Sequence, residues 1–276
     1  MRTQAEKGAA FRALHERAGA FVIPNPWDAG SAKVLAGLHF EALATTSAGM
    51  AYTLGKPDGA ATREETLANA RAIVEATDLP VSADLGNCFG DAPEACAETI
   101  RLAATAGAVG GSVEDYTGRD ADPFHPLALA VERVTAAVRA ARALPFPFVL
   151  TARTERPVET DADFADVLRR LEAFAAAGAD VLFAPGLRTR EQVAAVVRAV
   201  APKPVNVIMG FGRTGFTMDQ LGRLGVKRVS LGSSLARAAW GAVLRAAEEI
   251  RDRGTFGYAQ DAPSFGDMNA RMRGAA

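Results

Sequence analysis

Short apolar runs alternate with longer stretches of helical period along the whole chain. Runs fit for buried strands lie at 21–23, 42–47, 80–85, 111–116, 148–154, 180–184, 204–209 and 228–232. Between and around them, residues 3–18, 32–38, 62–76, 91–106, 161–177, 189–200, 217–224 and 234–253 carry helix-period patterns, as does a segment that follows the polar loop 117–125 and ends at Ala143. Local signals agree with this division. Asp28 or Ser31 is placed to cap the helix at 32–38, and Thr62 with Glu65 forms a capping box. Pro93 sits in a first turn, where its missing N–H costs nothing. Gly107, Gly178 and Gly225 stand just before strands, where a glycine ends a helix in a left-handed cap.

Eight strand–helix units in one alternation predict an α/β protein, a (β/α)8 TIM barrel. No strand is followed by a GxGxxG loop, which argues against a doubly wound nucleotide-binding sheet. No Pro-, Gly- or Ser-rich linker divides the chain. The expectation is one barrel domain over residues 1–276, with an N-terminal helix at 3–18 and a polar tail at 254–276 lying on the surface or on a partner.

Composition narrows the function. Of 276 residues, 49% are hydrophobic, and 31 Lys plus Arg against 32 Asp plus Glu leave a net charge of −1. Nothing there favours nucleic acid or an anionic membrane. The two cysteines, Cys88 and Cys96, make neither a disulfide framework nor a zinc pattern. No signal-peptide pattern and no apolar run of about eighteen residues is present, so a cytoplasmic enzyme is expected.

The candidate chemistry collects where the strands stop. The stretch 80–116 organises it, with Asp84 ending one apolar run and Glu114-Asp115 ending the next. In parallel α/β folds the carboxyl ends of strands form the active face. Asp84 and Glu114 can therefore converge on one divalent cation, or else cap helices and bridge arginines. Oxygen ligands without a His or Cys cluster favour Mg²⁺, or Mn²⁺, over zinc. Arg153 can hold a substrate carboxylate or phosphate, pair with Glu114 or Asp84, or do both. Thr45, Thr46 and Ser47 with the Ala48 backbone offer an anion nest or ordinary strand-end capping. Asn206 offers a carboxylate contact or a loop-fixing amide, and Asp58 sits in a Gly/Pro turn. A Schiff-base mechanism lacks its lysine: Lys7, Lys33, Lys56, Lys203 and Lys227 all lie away from strand ends. His15, His39 and His125 are scattered likewise, and Cys88 has no evident histidine partner.

Six segments in order carry a family resemblance. They are Asn-Pro-Trp-Asp-Ala-Gly-Ser-Ala (25–32), Thr-Thr-Ser-Ala-Gly (45–49), Leu-Gly-Lys-Pro-Asp-Gly (54–59), Val-Ser-Ala-Asp-Leu (81–85), Gly-Ser-Val-Glu-Asp-Tyr (111–116) and Thr-Ala-Arg-Thr (151–154). Together they resemble the isocitrate lyase/phosphoenolpyruvate mutase superfamily over about residues 20–240. The resemblance implies Mg²⁺, an α-oxocarboxylate ligand and an enolate-like intermediate. It places Asp84 and Glu114 at the metal, the 46–48 segment at the substrate carboxylate, Asp58 on a mobile loop, Arg153 as the clamp and Asn206 as a strand-seven contact. It also implies a homo-oligomer, dimer or tetramer, with the eighth helix exchanged between subunits; the helix at 234–253 is that element.

The chain also departs from the family. The loop 117–124 holds neither the cysteine of the lyase branch nor the asparagine of the phosphonate mutases. Ser82 stands where many members have an acid, and Gly86 replaces another. The reading is a Mg²⁺-dependent lyase that breaks a C–C bond of a small α-oxo or 2-hydroxy carboxylate, by retro-aldol cleavage or oxaloacetate-type decarboxylation. The alternatives are a phosphoenolpyruvate or phosphonate mutase or hydrolase, and an inactive barrel that only binds a carboxylate.

Overall fold

The computed structural model describes residues 2–210 and 215–274. Strands and helices alternate along it. The order is α1 (Gln4–Glu16), β1 (Phe21–Ile23), α2 (Ala29–Gly37), β2 (Leu43–Ala44), α3 (Ser47–Thr53), α4 (Arg63–Ala76), β3 (Val81–Asp84), α5 (Pro93–Thr105), β4 (Gly110–Glu114), α6 (Leu127–Arg142) and β5 (Val149–Arg153). It continues with α7 (Asp161–Ala176), β6 (Val181–Phe183), α8 (Arg190–Ala199), β7 (Val205–Ile208), α9 (Met218–Arg223), β8 (Arg228–Ser230), α10 (Ser234–Arg253) and α11 (Phe265–Met272).

All paired strands are parallel, in the order β1-β8-β7-β6-β5-β4-β3-β2. The two ends of that order meet where Ala44 N–H donates to Pro24 O at 3.1 Å, which closes the barrel. Asn25 fastens the same seam. Its amide donates to Thr45 O at 2.9 Å, and its oxygen accepts from Leu231 N–H and Gly232 N–H. Parallel pairing needs a crossover helix after each strand, and the capping residues deliver it. Asp28 and Ser31 form a reciprocal cap on α2, and Thr62 with Glu65 does the same on α4. Gly107, Gly178 and Gly225 all have positive φ, between 88° and 100°, where the chain leaves a helix for the next strand.

Two elements differ from expectation. The run at 42–47 is a two-residue strand, and its end turns into α3. Thr46 caps that helix by accepting from Gly49 N–H at 3.3 Å. Gly49 packs so closely that a Cβ there would stand 3.0 Å from Trp27 Cβ and 3.2 Å from that of Ala236. The tail is not featureless either. Its helix α11 lies on α2, where Lys33 Nζ donates to Met272 O at 2.8 Å.

Apolar layers hold the barrel. Phe174, Leu171, Val167 and Leu182 pack between α7 and the strands, and Ile100, Ala103, Ala137 and Leu150 between α5, α6 and the sheet. The amino end is plugged by α1: Phe11 and Leu14 pack with Phe21, Val109, Val149 and Val181, which begin or immediately precede their strands. Among the described residues no helix is long and apolar enough to cross a membrane.

The plug fits tightly. A Cβ on Gly8 would lie 2.3 Å from Pro147 O, a backbone atom that cannot swing aside. Alanine gains about 1 kcal/mol of helix propensity over glycine, but overpacking costs about 1–3 kcal/mol. The clash dominates at this distance, so Gly8→Ala is expected to destabilise the protein in urea unfolding. Gly222→Ala, with nothing within 4 Å, is expected to be neutral or stabilising.

Candidate active site

The carboxyl ends of the strands open into a cavity of about 400 Å³. Ser47, Asp58, Asp84, Glu114, Arg153 and Glu155 supply its charged and polar wall, and Met50, Leu85, Phe89 and Phe124 its apolar one. Strand register explains the convergence. Asp84 is level with Ser112, and Glu114 is level with Arg153. Side chains alternate between the two faces of a strand, so Ser112 and Glu114, two apart, share a face.

Arg153 is the centre of the charge cluster. Its Nη1 lies 3.0 Å from Glu114 Oε1 and 3.8 Å from Asp84 Oδ1, and its Nε donates to Glu155. The Phe183 ring stacks on the guanidinium with 4.9 Å to its centroid. Asp84 is held from three sides: Oδ2 accepts from Ser47 N–H at 3.0 Å, Oδ1 accepts from Ser112 Oγ at 3.2 Å, and its own N–H donates to Thr45 Oγ1 at 2.8 Å.

Burial raises the Glu114 pKa to about 8. Arg153 pulls it down, while Glu155, Asp84 and Asp58 push it up. Burial alone would lower the Arg153 pKa, but Glu114, Glu155 and Asp84 hold it above its ordinary value. The guanidinium therefore stays charged, and the acids around it crowd one another.

This donor set fits a hard divalent cation. Asp84 and Glu114 offer carboxylate oxygens, and a cation between them would relieve the crowding that raises Glu114. Among the described residues no group of three or more His, Cys, Asp or Glu stands ready to enclose an ion. Mg²⁺ can bind through one or two carboxylates and keep several waters.

Other residues singled out from the sequence take varied places. Thr46 and Ala48 lie at the start of α3 and do not line the cavity; the Thr46 hydroxyl caps the helix. Ser47 N–H goes to Asp84. Asn206 is 1% exposed, donating to Ser230 Oγ and accepting from Arg228 Nε, both at 2.9 Å. With Thr45 it lines a smaller chamber inside the barrel rather than the main cavity. Glu155 and Ser112 were not anticipated. Glu155 follows the strand-end arginine by two residues, and Ser112 precedes Glu114 by two, so strand periodicity held a signal for both.

Comparisons with known proteins identify the family. The family model described as Phosphoenolpyruvate phosphomutase matches residues 11–251. The chain belongs to the isocitrate lyase/phosphoenolpyruvate mutase superfamily. A crystal structure of a candidate lyase/mutase from Burkholderia cenocepacia J2315 is 57% identical, with a TM-score of 0.93 over 96% of this chain and 95% of that one. A candidate phosphonomutase from the same organism is 35% identical, with a TM-score of 0.81 over 89% and 99% of the two chains. The 2-methylisocitrate lyase of Escherichia coli K12 is 30% identical over 223 residues, 78% of this chain and 74% of that protein.

Within the superfamily site, a buried network sets the angle of the charged wall. Asp115, 2% exposed, accepts from Thr154 Oγ1 at 2.7 Å, Glu155 N–H at 2.9 Å and Arg170 Nη1 at 3.1 Å. Arg170 also reaches Asp166 and His125 O. The loop after β4 is tied across the mouth as well, since Arg119 pairs with Asp91 at 2.8 Å and Asn87 Nδ2 donates to Thr117 O at 3.1 Å. Removing one partner of a buried ion pair leaves the other charge uncompensated, at a cost of about 3–5 kcal/mol. Asp166 remains beside Arg170, so Asp115→Ala is expected at the lower end, about 3 kcal/mol, in equilibrium urea unfolding. Asp115→Asn, which keeps an acceptor, is expected to cost less.

Proposed function

We propose that this protein is a Mg²⁺-dependent lyase that breaks a C–C bond of a small α-oxo or 2-hydroxy carboxylate. The observation that carries the reading is the meeting of Asp84, Glu114 and Arg153 in one cavity, oxygen ligands for a hard cation beside a guanidinium for a carboxylate. Relatives that bear the name 2-methylisocitrate lyase or 2,3-dimethylmalate lyase support it. Asp84 and Glu114 are the residues that would hold the ion, directly or through water. Bound there, Mg²⁺ supplies a Lewis acid for the negative charge that develops on the substrate oxygen.

The chain's own groups do the rest. Arg153 fixes a substrate carboxylate, with its plane kept by Phe183 and its Nε by Glu155. At the start of α3, Ser47 N–H holds Asp84 at the same wall. In a 2-hydroxy acid, the hydroxyl proton leaves and the oxygen lone pair forms the new carbonyl. The pair of the breaking C–C bond goes to the departing carbon, which then takes a proton. Asp58, on the loop over the cavity, is the group assigned to move that proton. Tyr116 and Phe124, which form an isolated bridge and an edge-on ring contact, keep water from the developing charge. The loop after β4 has no cysteine, so this chemistry does not run through a loop thiol. The mutase reading has its own support in the 35% identical candidate phosphonomutase.

We also propose that α10 covers a second copy of the chain. Within its own barrel only Ala236 of this helix is buried, while Trp240, Val243, Leu244 and Ile250 are exposed. Single-sided apolar helices of this kind need a partner surface.

Two measurements test these readings. Oxaloacetate, 2-methylisocitrate, isocitrate, 2,3-dimethylmalate and phosphoenolpyruvate are incubated with enzyme and Mg²⁺, with EDTA, and with Asp84→Ala, and the products are assayed as pyruvate, glyoxylate, oxalate or phosphate. One carboxylate is expected to turn over only with the metal, and Asp84→Ala to lose roughly 100-fold or more. Metal-independent turnover, or phosphonate chemistry on phosphoenolpyruvate alone, would sink the lyase reading. For α10, light scattering is expected to give a dimer or tetramer, and Leu244→Glu to shift it toward the monomer. A wild-type monomer removes the proposal.

A further inference from the structure

β8 begins with an arginine whose side chain turns into the barrel. Arg228 is 5% exposed. Its Nε donates to Asn206 Oδ1 at 2.9 Å, its Nη2 crosses to Thr151 Oγ1 on β5 at 2.8 Å, and its Nη1 lies 3.5 Å from His15 Nε2. None of these partners carries a negative charge. His15 is neutral, because burial and then the nearby Arg228 lower its pKa to about 3. Its Nδ1 lies 2.8 Å from Phe11 O, which leaves Nε2 as the acceptor facing the arginine.

The other buried guanidiniums are treated differently. Arg170 meets Asp115 and Asp166, and Arg153 meets Glu114. Arg133 is wrapped by the carbonyls of Asn87, Gly90 and Asp91. For Arg228, among the described residues, no carboxylate stands in ion-pair contact. Burial lowers its pKa to about 9, still above neutral, so the group remains charged. A guanidinium has five N–H bonds, and three are engaged. Burying a charge without a counter-charge is costly, and folded proteins pair it.

The structure has a place for the missing partner. Arg228 lines a small cavity of about 50 Å³, room for a few water-sized species, which shares Asp84 and Arg153 with the main one. Ser82, Ser112 and Ser230 bring hydroxyls to its wall, and Asn25 and Asn206 bring amides. Asp84 lies on the same wall, and its charge repels an anion from its own side. We propose that a small monovalent inorganic anion of halide size sits at the Arg228 end of this cavity, paired with the guanidinium and held by the neighbouring hydroxyls. The small volume matches a single small ion. The proposal does not rest on the catalytic reading.

The test uses the full chain. Crystals are soaked in sodium bromide and bromine is located by its anomalous scattering. In parallel, thermal unfolding is compared in sodium bromide, sodium chloride and sodium gluconate at equal ionic strength, for wild type, Arg228→Lys and Arg228→Met. The expected result is a bromide peak within hydrogen-bonding reach of Arg228. The wild type should gain about 3 °C in halide over gluconate, and Arg228→Met should lose that gain. Ordered water in place of bromide overturns the proposal, and so does an equal halide response in wild type and Arg228→Met. If Arg228→Met does not fold, the anomalous map and the Arg228→Lys comparison decide it.

Discussion

Glu114 and Arg153 stand level on neighbouring strands, 3.0 Å apart, at the carboxyl end of a parallel barrel. That one contact constrains everything near it. A buried guanidinium stabilises one carboxylate well and several poorly, yet Asp84, Glu155 and Asp58 also bear on this pair. Burial, with their crowding added to it, holds Glu114 far above the ordinary carboxylate range. In the proposed function, surplus negative charge with only oxygen donors would favour a hard cation, and the same guanidinium would favour an anionic substrate. The proposed metal and substrate would then be two sides of one electrostatic arrangement.

The scaffold keeps that arrangement in place by committing neighbours to the backbone. Thr45, Ser47 and Ser112 each spend a donor or acceptor on Asp84. Asp115 ends the same apolar run as Glu114 in the sequence, but it is engaged in the network with Thr154, Glu155 and Arg170. Adjacent acids on one strand face opposite sides, so only one of Glu114 and Asp115 reaches the cavity. The other positions the turn that presents Glu155.

The barrel was legible in the sequence because its signals are local. Thr62 with Glu65, Asp28 with Ser31 and the three pre-strand glycines act within a few residues of where they are read. Asp84 and Arg153 were legible for a related reason, since a charged residue ending an apolar run marks the rim of a parallel sheet. What escaped was decided by tertiary partners. Asn206 reads equally as a carboxylate contact or a structural amide, and its partners Ser230 and Arg228 are joined to it by no spacing rule. The 45–48 segment reads as an anion nest or as strand-end capping, and the helix that Thr46 caps is one that apolar periodicity, over only seven residues, does not announce.

The axis of the barrel carries charge of both signs at different depths. The rim is acidic around a single clamp, and the floor holds Arg228 among neutral groups. Between them lies a small chamber whose wall joins Asp84 and Arg153 to Arg228. Thr151, which accepts from Arg228, is level with Ser112, which donates to Asp84. Floor and rim are therefore separated by one pair of register-matched hydroxyls rather than by a packed apolar layer. The acidic rim and the buried arginine thus line one small chamber from opposite ends of the barrel axis, with hydroxyls and amides between them.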